Sequence, residues 1–253
     1  MVSGSAVPPG CAPSTAWKVC ANLAATAVLA EARPLEGLPE AWTSPSLIWL
    51  PKAGKSPSVP AALRPIGLLR PDAKAVAGAI KACLVPYALE RLRDVPQYAY
   101  LPGRDILDCL ARVHGRLEAA RAQRRREELG RADDLVMGVI LSIDLSKAFD
   151  KADRALIARS LRLAGVPDGL VADAMALHST CDYRLSGPGG DARVRTTRGI
   201  RQGCRLAPLL WAFLSGQLLR DAGGDLSPAL SPWTSFPDDT TGSWRCDSPA
   251  EVQ

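Results

Sequence analysis

The most constraining feature of this sequence is the segment 139–150, VILSIDLSKAFD, in which Asp144 interrupts a run of apolar and β-branched residues. Apolar runs of this length are typical of a buried β-strand. A carboxylate at the end of such a strand is costly unless a partner compensates its charge. Asp144 therefore either caps the helix that follows or binds a metal ion, for which a strand end is a rigid support.

The composition of the 253-residue chain is that of an ordinary globular protein, with 47% hydrophobic and 23% charged residues. The net charge of +5 permits an anionic partner such as nucleic acid without requiring one. Seven scattered cysteines, without a CxxC pair, and two histidines argue against a zinc site and against a secreted disulfide scaffold. No apolar run is long enough to span a membrane. We therefore expect an intracellular protein without zinc or a membrane partner.

A basic hairpin is predicted upstream of the strand that ends at Asp144. Strand-like runs at 46–50 and 64–69 flank a loop rich in Lys, Gly, Ser and Pro. Lys52, Lys55 and Arg64 are suited to hold phosphate groups, because Lys supplies a point charge and Arg a bidentate fork. A solvated hairpin without a ligand is the alternative that these residues leave open.

Apolar residues recur every three or four positions in several segments, which predicts amphipathic helices. These helices span 16–32, 71–84, 106–120, 152–164, 169–178 and 208–220. Asp72 is a candidate N-cap, and Pro86 is expected to disturb the continuation of its helix, because proline lacks a backbone donor. Ile106 and Leu110 belong to the expected core-facing stripe of the helix 106–120. A second hairpin is predicted over 181–197.

Two turns in the last third of the chain contain polar side chains that suit a binding site. The loop 198–204 places Gln202 beside Gly203, so that side-chain donors and bare backbone approach a ligand closely. The segment Phe236-Pro237-Asp238-Asp239 has two adjacent acids, although acids are common in turns for local reasons. Each signal is weak alone, and the order of the segments is what makes them specific.

That order resembles the reverse transcriptases, most closely those of non-LTR (LINE-type) retrotransposons, over about residues 46–241. The matching segments are Lys52 with 64–68, then 97–104, 143–150, 201–210 and 236–239. The resemblance implies an α+β fold of the right-hand polymerase type, with fingers, an antiparallel palm sheet with helices, and no thumb. It implies a fingers-like region over 46–135 and a palm over 136–253 that is incomplete at its C-terminus. Residues 1–45 are left as an N-terminal extension, which we expect to be partly disordered because its first 15 residues are rich in Pro, Gly and Ser.

The resemblance also implies a polymerase active site. Asp144, Asp238 and Asp239 are expected to bind two Mg²⁺ ions, or Mn²⁺, because such ions take hard oxygen ligands and promote in-line phosphoryl transfer. The residues expected to bind the nucleotide are Lys52, Arg64, Phe149, Gln202 and Gly203. Phe149 is expected to exclude a 2′-hydroxyl, and Arg104 to contact nucleic acid. The implied partners are an RNA template, a DNA primer and dNTPs, and the implied location is the nucleus.

One departure from the family pattern affects the acid turn, because Pro237 stands where the family has Ala. Proline fixes φ near −65° and removes a backbone donor, so it alters a turn that must position both acids closely. Two alternatives to a catalytic domain follow. One is a truncated, non-catalytic nucleic-acid-binding remnant. The other is an unrelated carboxylate-rich metal phosphohydrolase, which predicts no role for Phe149, Gln202 or the basic loop.

Overall fold

The computed structural model describes residues 6–31, 38–128, 137–179, 181–187, 189–222 and 231–246. The chain forms two compact units, each built from two chain segments. Unit 1 comprises residues 1–86 and 149–211, and unit 2 comprises residues 87–148 and 212–253. The predicted division into an N-terminal extension (1–45), a fingers-like region (46–135) and a palm (136–253) therefore stays a prediction. The disorder expected within 1–45 concerns in part residues 1–5 and 32–37, which lie outside the described residues.

The predicted helices and strands are present in the predicted order, but the helix predicted over 16–32 is divided in two, and two short helices and the last two strands were not predicted. The helices are α1 (Ser14–Val19), α2 (Ala21–Glu31), α3 (Glu40–Thr43), α4 (Pro71–Arg91), α5 (Ile106–Glu128), α6 (Ala148–Lys151), α7 (Arg154–Leu163), α8 (Asp168–Ser179) and α9 (Ala207–Asp221). The strands are β1 (Ser46–Pro51), β2 (Leu63–Leu68), β3 (Met137–Asp144), β4 (Cys181–Gly187), β5 (Gly190–Thr196), β6 (Trp233–Phe236) and β7 (Asp239–Cys246). A short 3₁₀ turn, Pro60–Ala62, precedes β2.

Unit 1 contains a four-stranded sheet with the strand order β2-β1-β4-β5. β1 pairs antiparallel with β2, and β4 pairs antiparallel with β5, so both predicted hairpins are confirmed. β4 joins β1 in parallel, with Ser46 opposite Arg184. Beside the sheet, α7 and α8 pack through fully buried side chains such as Ile157 and Leu177, and α3 packs on α8. These α7 and α8 helices confirm the amphipathic predictions for this region.

α4 corrects the expectation that Pro86 would disturb the helix, because the helix continues through this residue to Arg91. Proline leaves the carbonyl of Ala82 without its helical donor. Ala82 and Pro86 are both exposed, so water can satisfy that carbonyl. Asp72 is not the N-cap but lies one residue inside the helix, where its carboxylate pairs with Arg70 at 2.9 Å.

Unit 2 contains a three-stranded antiparallel sheet with the strand order β3-β7-β6. α5 packs on β6 and β7, but not through all of the predicted stripe, because Ile106 and Leu110 are 48% and 55% exposed. Arg112 and Arg116 instead face the sheet and donate to the backbone carbonyls of Ser231 and neighbouring residues. The periodicity therefore predicted the helix but not which of its side chains face the sheet, since arginines make part of the contact that was expected from apolar residues. No helix in the described ranges is long and apolar enough to cross a membrane.

His178, at the end of α8, is the most deeply buried titratable group described in unit 1. It is 0% exposed, and its Nδ1 accepts a hydrogen bond from the backbone N–H of Arg201 at 3.4 Å. Its Nε2 lies 3.8 Å from the Sγ of Cys204. Burial lowers the pKa of His178 well below its usual 6.5, and the charges of Arg201 and Arg154 lower the pKa further. His178 is therefore neutral in the folded chain at neutral pH.

We expect stability to fall as the pH drops below 6.5, because His178 takes up a proton in the unfolded chain before it does so in the folded chain. The free energy of unfolding falls by up to about 1.4 kcal/mol per pH unit until the pH reaches the lowered pKa of the folded chain. Thermal melting between pH 7.5 and 5.5 measures it, and His178→Gln should flatten the curve. His114→Gln, at an exposed position, serves as the control. Equal slopes in all three proteins would contradict the prediction.

Candidate active site

The three acids predicted to act together lie at one end of the sheet in unit 2. β3 ends at Asp144, which is the register partner of Asp239 at the start of β7. Asp238 lies in the two-residue turn between β6 and β7, and its carbonyl accepts from the N–H of Leu145 at 3.3 Å. Directly opposite residues of an antiparallel pair have Cα atoms about 4.5–5.5 Å apart and side chains on the same face. We call Asp144, Asp238 and Asp239 the acid corner.

Asp144 does not cap the helix that was predicted over 152–164. The N-cap of α7 is Asp153, whose carboxylate accepts from the backbone N–H groups of Ala155 at 2.7 Å and Leu156 at 3.2 Å. α7 therefore begins ten residues after β3 ends, beyond the short helix α6, and has a cap of its own. Asp144 is left at the strand end, where its cross-strand neighbour is another acid.

Like charges directly opposite one another weaken a sheet, so the acid corner is electrostatically unfavourable in the absence of a cation. Desolvation raises the pKa of Asp239, and the neighbouring carboxylates of Asp238 and Asp144 raise the pKa further. The donor chemistry suits a hard divalent cation, which prefers carboxylate oxygens. Over the described residues, however, no group of three or more His, Cys, Asp and Glu side chains is arranged to hold one metal ion. The acids are thus neighbours in the sheet without a formed coordination shell.

The acid turn has an unusual conformation for a two-residue β-hairpin. Such turns favour positive φ at one or both central residues, because that twist matches the strands. Tyr100 and Lys147 are the only non-glycine residues with positive φ in the described ranges, so neither Pro237 nor Asp238 adopts it. Pro237 therefore holds the turn in an unprimed form, as its fixed φ requires.

Tyr100 lies in a segment beside the acid corner that sequence reasoning noticed but did not assign to the site. Gln97 forms a parallel bridge with Ser235 of β6, and the N–H of Tyr98 donates to the Ser235 carbonyl at 2.9 Å. Tyr100 follows with φ of +65°, and burial raises its pKa, as does the charge of Asp238 to a smaller extent. The aromatic segment thus runs along the sheet edge towards the acids.

Arg104 is engaged within unit 2. Its Nη1 donates to the carbonyls of Val95 and Gln97 at 2.6 and 2.7 Å. Its Nη2 donates to the carbonyls of Leu92 and Arg93 at 2.8 and 2.5 Å. The guanidinium therefore binds the backbone that follows α4 and leads into the segment beside β6.

The predicted nucleotide-binding residues Phe149, Gln202 and Gly203 lie in unit 1. The Nε2 of Gln202 donates to the Oδ1 of Asp150 at 3.0 Å, and the backbone carbonyl of Gln202 accepts from the N–H of Gly67 at 2.8 Å. Phe149 stacks on Trp211 with ring centroids 5.6 Å apart. Gly203 has φ of +100°, and a Cβ there would lie 2.6 Å from the Gly67 carbonyl oxygen.

The loop that presents Gln202 is fixed by backbone contacts to the segment around Phe149. The N–H of Ile200 donates to the Phe149 carbonyl at 2.8 Å, and the N–H of Gly199 donates to the Ala152 carbonyl at 2.8 Å. Arg154, the first residue of α7, donates to the carbonyls of Thr196, Arg198 and Gly199 and to two further oxygens. Arg154 is a positioning residue that sequence reasoning missed, because no local pattern links residues about 45 positions apart.

The basic hairpin of unit 1 presents its cations at the end where β1 and β2 are joined. Arg64 is exposed and pairs in register with Leu50. Lys52 donates from Nζ to the Ala61 carbonyl at 2.9 Å, which uses one of its three donors. Lys55 is exposed in the loop between the strands. The acid corner and the nucleotide-binding residues therefore belong to different units, and each group is ordered within its own unit.

Comparison with known proteins gives a consistent family. The family model for reverse transcriptase (RNA-dependent DNA polymerase) matches residues 50–243. A retrovirus-related Pol polyprotein from a type-2 retrotransposable element of Drosophila melanogaster is 31% identical over 105 residues, which are 40% of this chain and 10% of that protein. The chain thus spans about a tenth of the length of this relative.

Solved telomerase structures share the fold. The apo telomerase of Candida tropicalis, truncated from its C-terminal domain, matches with a TM-score of 0.55 and 12% identity over 94% of this chain and 50% of that one. The telomerase of Candida albicans, in complex with a TWJ fragment of telomeric RNA, matches with a TM-score of 0.56 and 10% identity over 95% and 42%. These structures support a polymerase fold of fingers and palm type.

We expect Gly199→Ala to destabilise unit 1 by about 1–3 kcal/mol, which is the range for a non-glycine residue held in a sparsely populated backbone region. Gly199 has φ of +83°, and a Cβ there would lie 2.5 Å from the Asp150 carbonyl oxygen. The midpoint of thermal unfolding measures the loss. Gly169→Ala is the matched control, because no atom lies within 4 Å of its added Cβ and its φ is not positive. Equal midpoints for the two variants would refute the claim.

Proposed function

Because this chain belongs to the reverse transcriptase (RNA-dependent DNA polymerase) family, we propose that it is the polymerase domain of a non-LTR retrotransposon. In this proposal it adds dNTPs to a primer 3′-hydroxyl opposite an RNA template. The observation that supports it most directly is the acid corner, where β3 and β7 set Asp144 opposite Asp239 and next to the turn that contains Asp238.

In the proposed reaction, Asp144, Asp238 and Asp239 hold two Mg²⁺ ions, or Mn²⁺ in their place. When bound, such ions activate the attacking hydroxyl and stabilise the leaving pyrophosphate. The carboxylates neutralise the ions and fix their position at a rigid strand end. The same binding would relieve the repulsion among the three acids.

Residues of unit 1 bind the incoming nucleotide in this proposal. Lys52 and Arg64 neutralise the triphosphate. Phe149, which is braced by Trp211, excludes a 2′-hydroxyl by its bulk. Gln202, oriented by Asp150, and Gly203 line the nucleotide pocket beside the templating base.

Three further assignments belong to the proposal. The four internal hydrogen bonds of Arg104 favour a positioning role for it over the direct nucleic-acid contact predicted from the sequence. RNA as a partner is supported by the telomerase neighbour whose structure contains an RNA fragment. Action in the nucleus follows from the chromosomal targets of such elements.

A non-catalytic nucleic-acid-binding remnant is the second candidate function. Two observations favour it: Pro237 holds the acid turn in an unprimed conformation, and no group of metal-binding side chains is formed in the described ranges. The unrelated phosphohydrolase, by contrast, is disfavoured by the family match over residues 50–243.

We expect primer extension on a primed RNA template, with dNTPs and Mg²⁺, to depend on the acid corner. Asp144→Asn should abolish extension, because it removes a charged ligand and keeps the side-chain shape. Pro237→Ala should keep or increase extension, because it frees the turn to adopt the family conformation. Asp153→Asn is the control for loss of an acid, since Asn is also a good N-cap. Extension that survives in Asp144→Asn would refute the two-metal assignment.

Metal binding separates the two candidate functions. We expect Mn²⁺, followed by its paramagnetic resonance signal, to bind the parent chain and to bind at least tenfold more weakly in Asp144→Asn, because one anionic ligand is lost. Weak binding of equal strength in both proteins would favour the non-catalytic remnant. The measurement needs no active polymerase.

A further inference from the structure

Arg201 is a buried cation that forms no salt bridge with any residue the structure describes. Its side chain is 1% exposed, and its Nη1 donates to the Trp42 carbonyl at 2.9 Å. Its Nε and Nη2 are buried and have no hydrogen-bond partner over the described residues. The Nε1 of Trp42, on a side chain that is 0% exposed, is unpartnered as well. Within the described part of the chain, these two neighbouring buried residues thus have three donor nitrogens without a partner.

The unused edge of Arg201 is the one that binds anions best. Nε and Nη2 point to the same side of the guanidinium plane, where they form the bidentate fork that matches an anion. Arginine stays charged under all ordinary conditions. A buried charge without a partner costs several kcal/mol, so folded proteins pair such groups.

The groups packed around Arg201 do not supply the missing charge. His178 accepts from the Arg201 backbone N–H and is neutral. Glu40, two residues before Trp42, is bonded instead to Arg184 and Arg193 at 3.2 and 2.7 Å. Arg154 is a second cation close enough to affect His178. None of these described groups therefore pairs with the Arg201 guanidinium.

We propose that the Nε and Nη2 edge of Arg201 binds a small inorganic anion, such as chloride, inside unit 1, with the Nε1 of Trp42 as a further donor. A water molecule would accept hydrogen bonds from these donors but would leave the charge of Arg201 uncompensated. An anion accepts the hydrogen bonds and also compensates the charge. Bound there, the anion stabilises α3 and the loop that contains Gln202, since Arg201 connects them. The site is structural and separate from the nucleotide-binding surface, because both of its residues are buried.

Thermal melting at constant ionic strength tests the proposal on the complete chain. We expect a midpoint about 2–4 °C higher in sodium chloride than in sodium gluconate, whose anion is too large for a closed site. The difference should disappear in Arg201→Met and shrink in Trp42→Phe. Arg162→Met removes an exposed arginine that pairs with Asp168, and it should keep the full difference. An equal midpoint in both salts would overturn the proposal.

Anomalous diffraction from crystals grown in bromide provides the second measurement and does not depend on how Arg201→Met folds. We expect a bromide peak in contact with Nε and Nη2 of Arg201. Water at this position in bromide would overturn the proposal. A bromide peak without any effect of chloride on the melting midpoint would show binding at crystal concentration only, and this result would also overturn the proposal.

Discussion

The pairing of β3 with β7 is the constraint on which the acid corner depends. Eight consecutive register pairs join these strands, from Met137 opposite Cys246 to Asp144 opposite Asp239. A slip of one residue would turn one strand's side chains to the other face and place Thr240 opposite Asp144. Residues about 95 positions apart in sequence thus become neighbours through backbone hydrogen bonds rather than through the acids, whose charges oppose the arrangement.

The elements that present Asp144 and Gln202 could be predicted because their signals are local, whereas β6 and β7, which present Asp238 and Asp239, were not predicted. A short apolar run ending in Asp144 indicated β3, and alternating polarity indicated the β4–β5 hairpin. The expected burial of β3 was wrong, because Ile140 and Leu141 are 52% and 45% exposed. The partners of Gln202 and its loop could not be predicted in the same way. The hydrogen bond from Gln202 to Asp150 and the clamp of Arg154 on the preceding loop join separate segments, and neither leaves a periodic pattern.

Charge also proved a poor guide to location. A net charge of +5 permits nucleic-acid binding, but several arginines are committed to internal backbone carbonyls. Arg104 and Arg154 each donate to a cluster of carbonyls, and Arg112 faces β6 where an apolar contact was expected. Arginine suits this use because it has five donors in a fixed geometry. The basic hairpin is different, since Arg64 and Lys55 stay exposed.

The division of each unit into two chain segments has a consequence for synthesis on the ribosome. In unit 1, β1 gains its parallel partner only when β4 has been made, as the pairing of Ser46 with Arg184 shows. Residues 87–148 of unit 2 are synthesised between β1 and β4. Their strand β3 gains its partner only when β7 has been made. The nascent chain therefore holds two half-built sheets at once, with strand edges open to wrong pairing. Long-range pairing of this kind slows folding, so the order of synthesis, and not only the final fold, exposes this chain to chaperones.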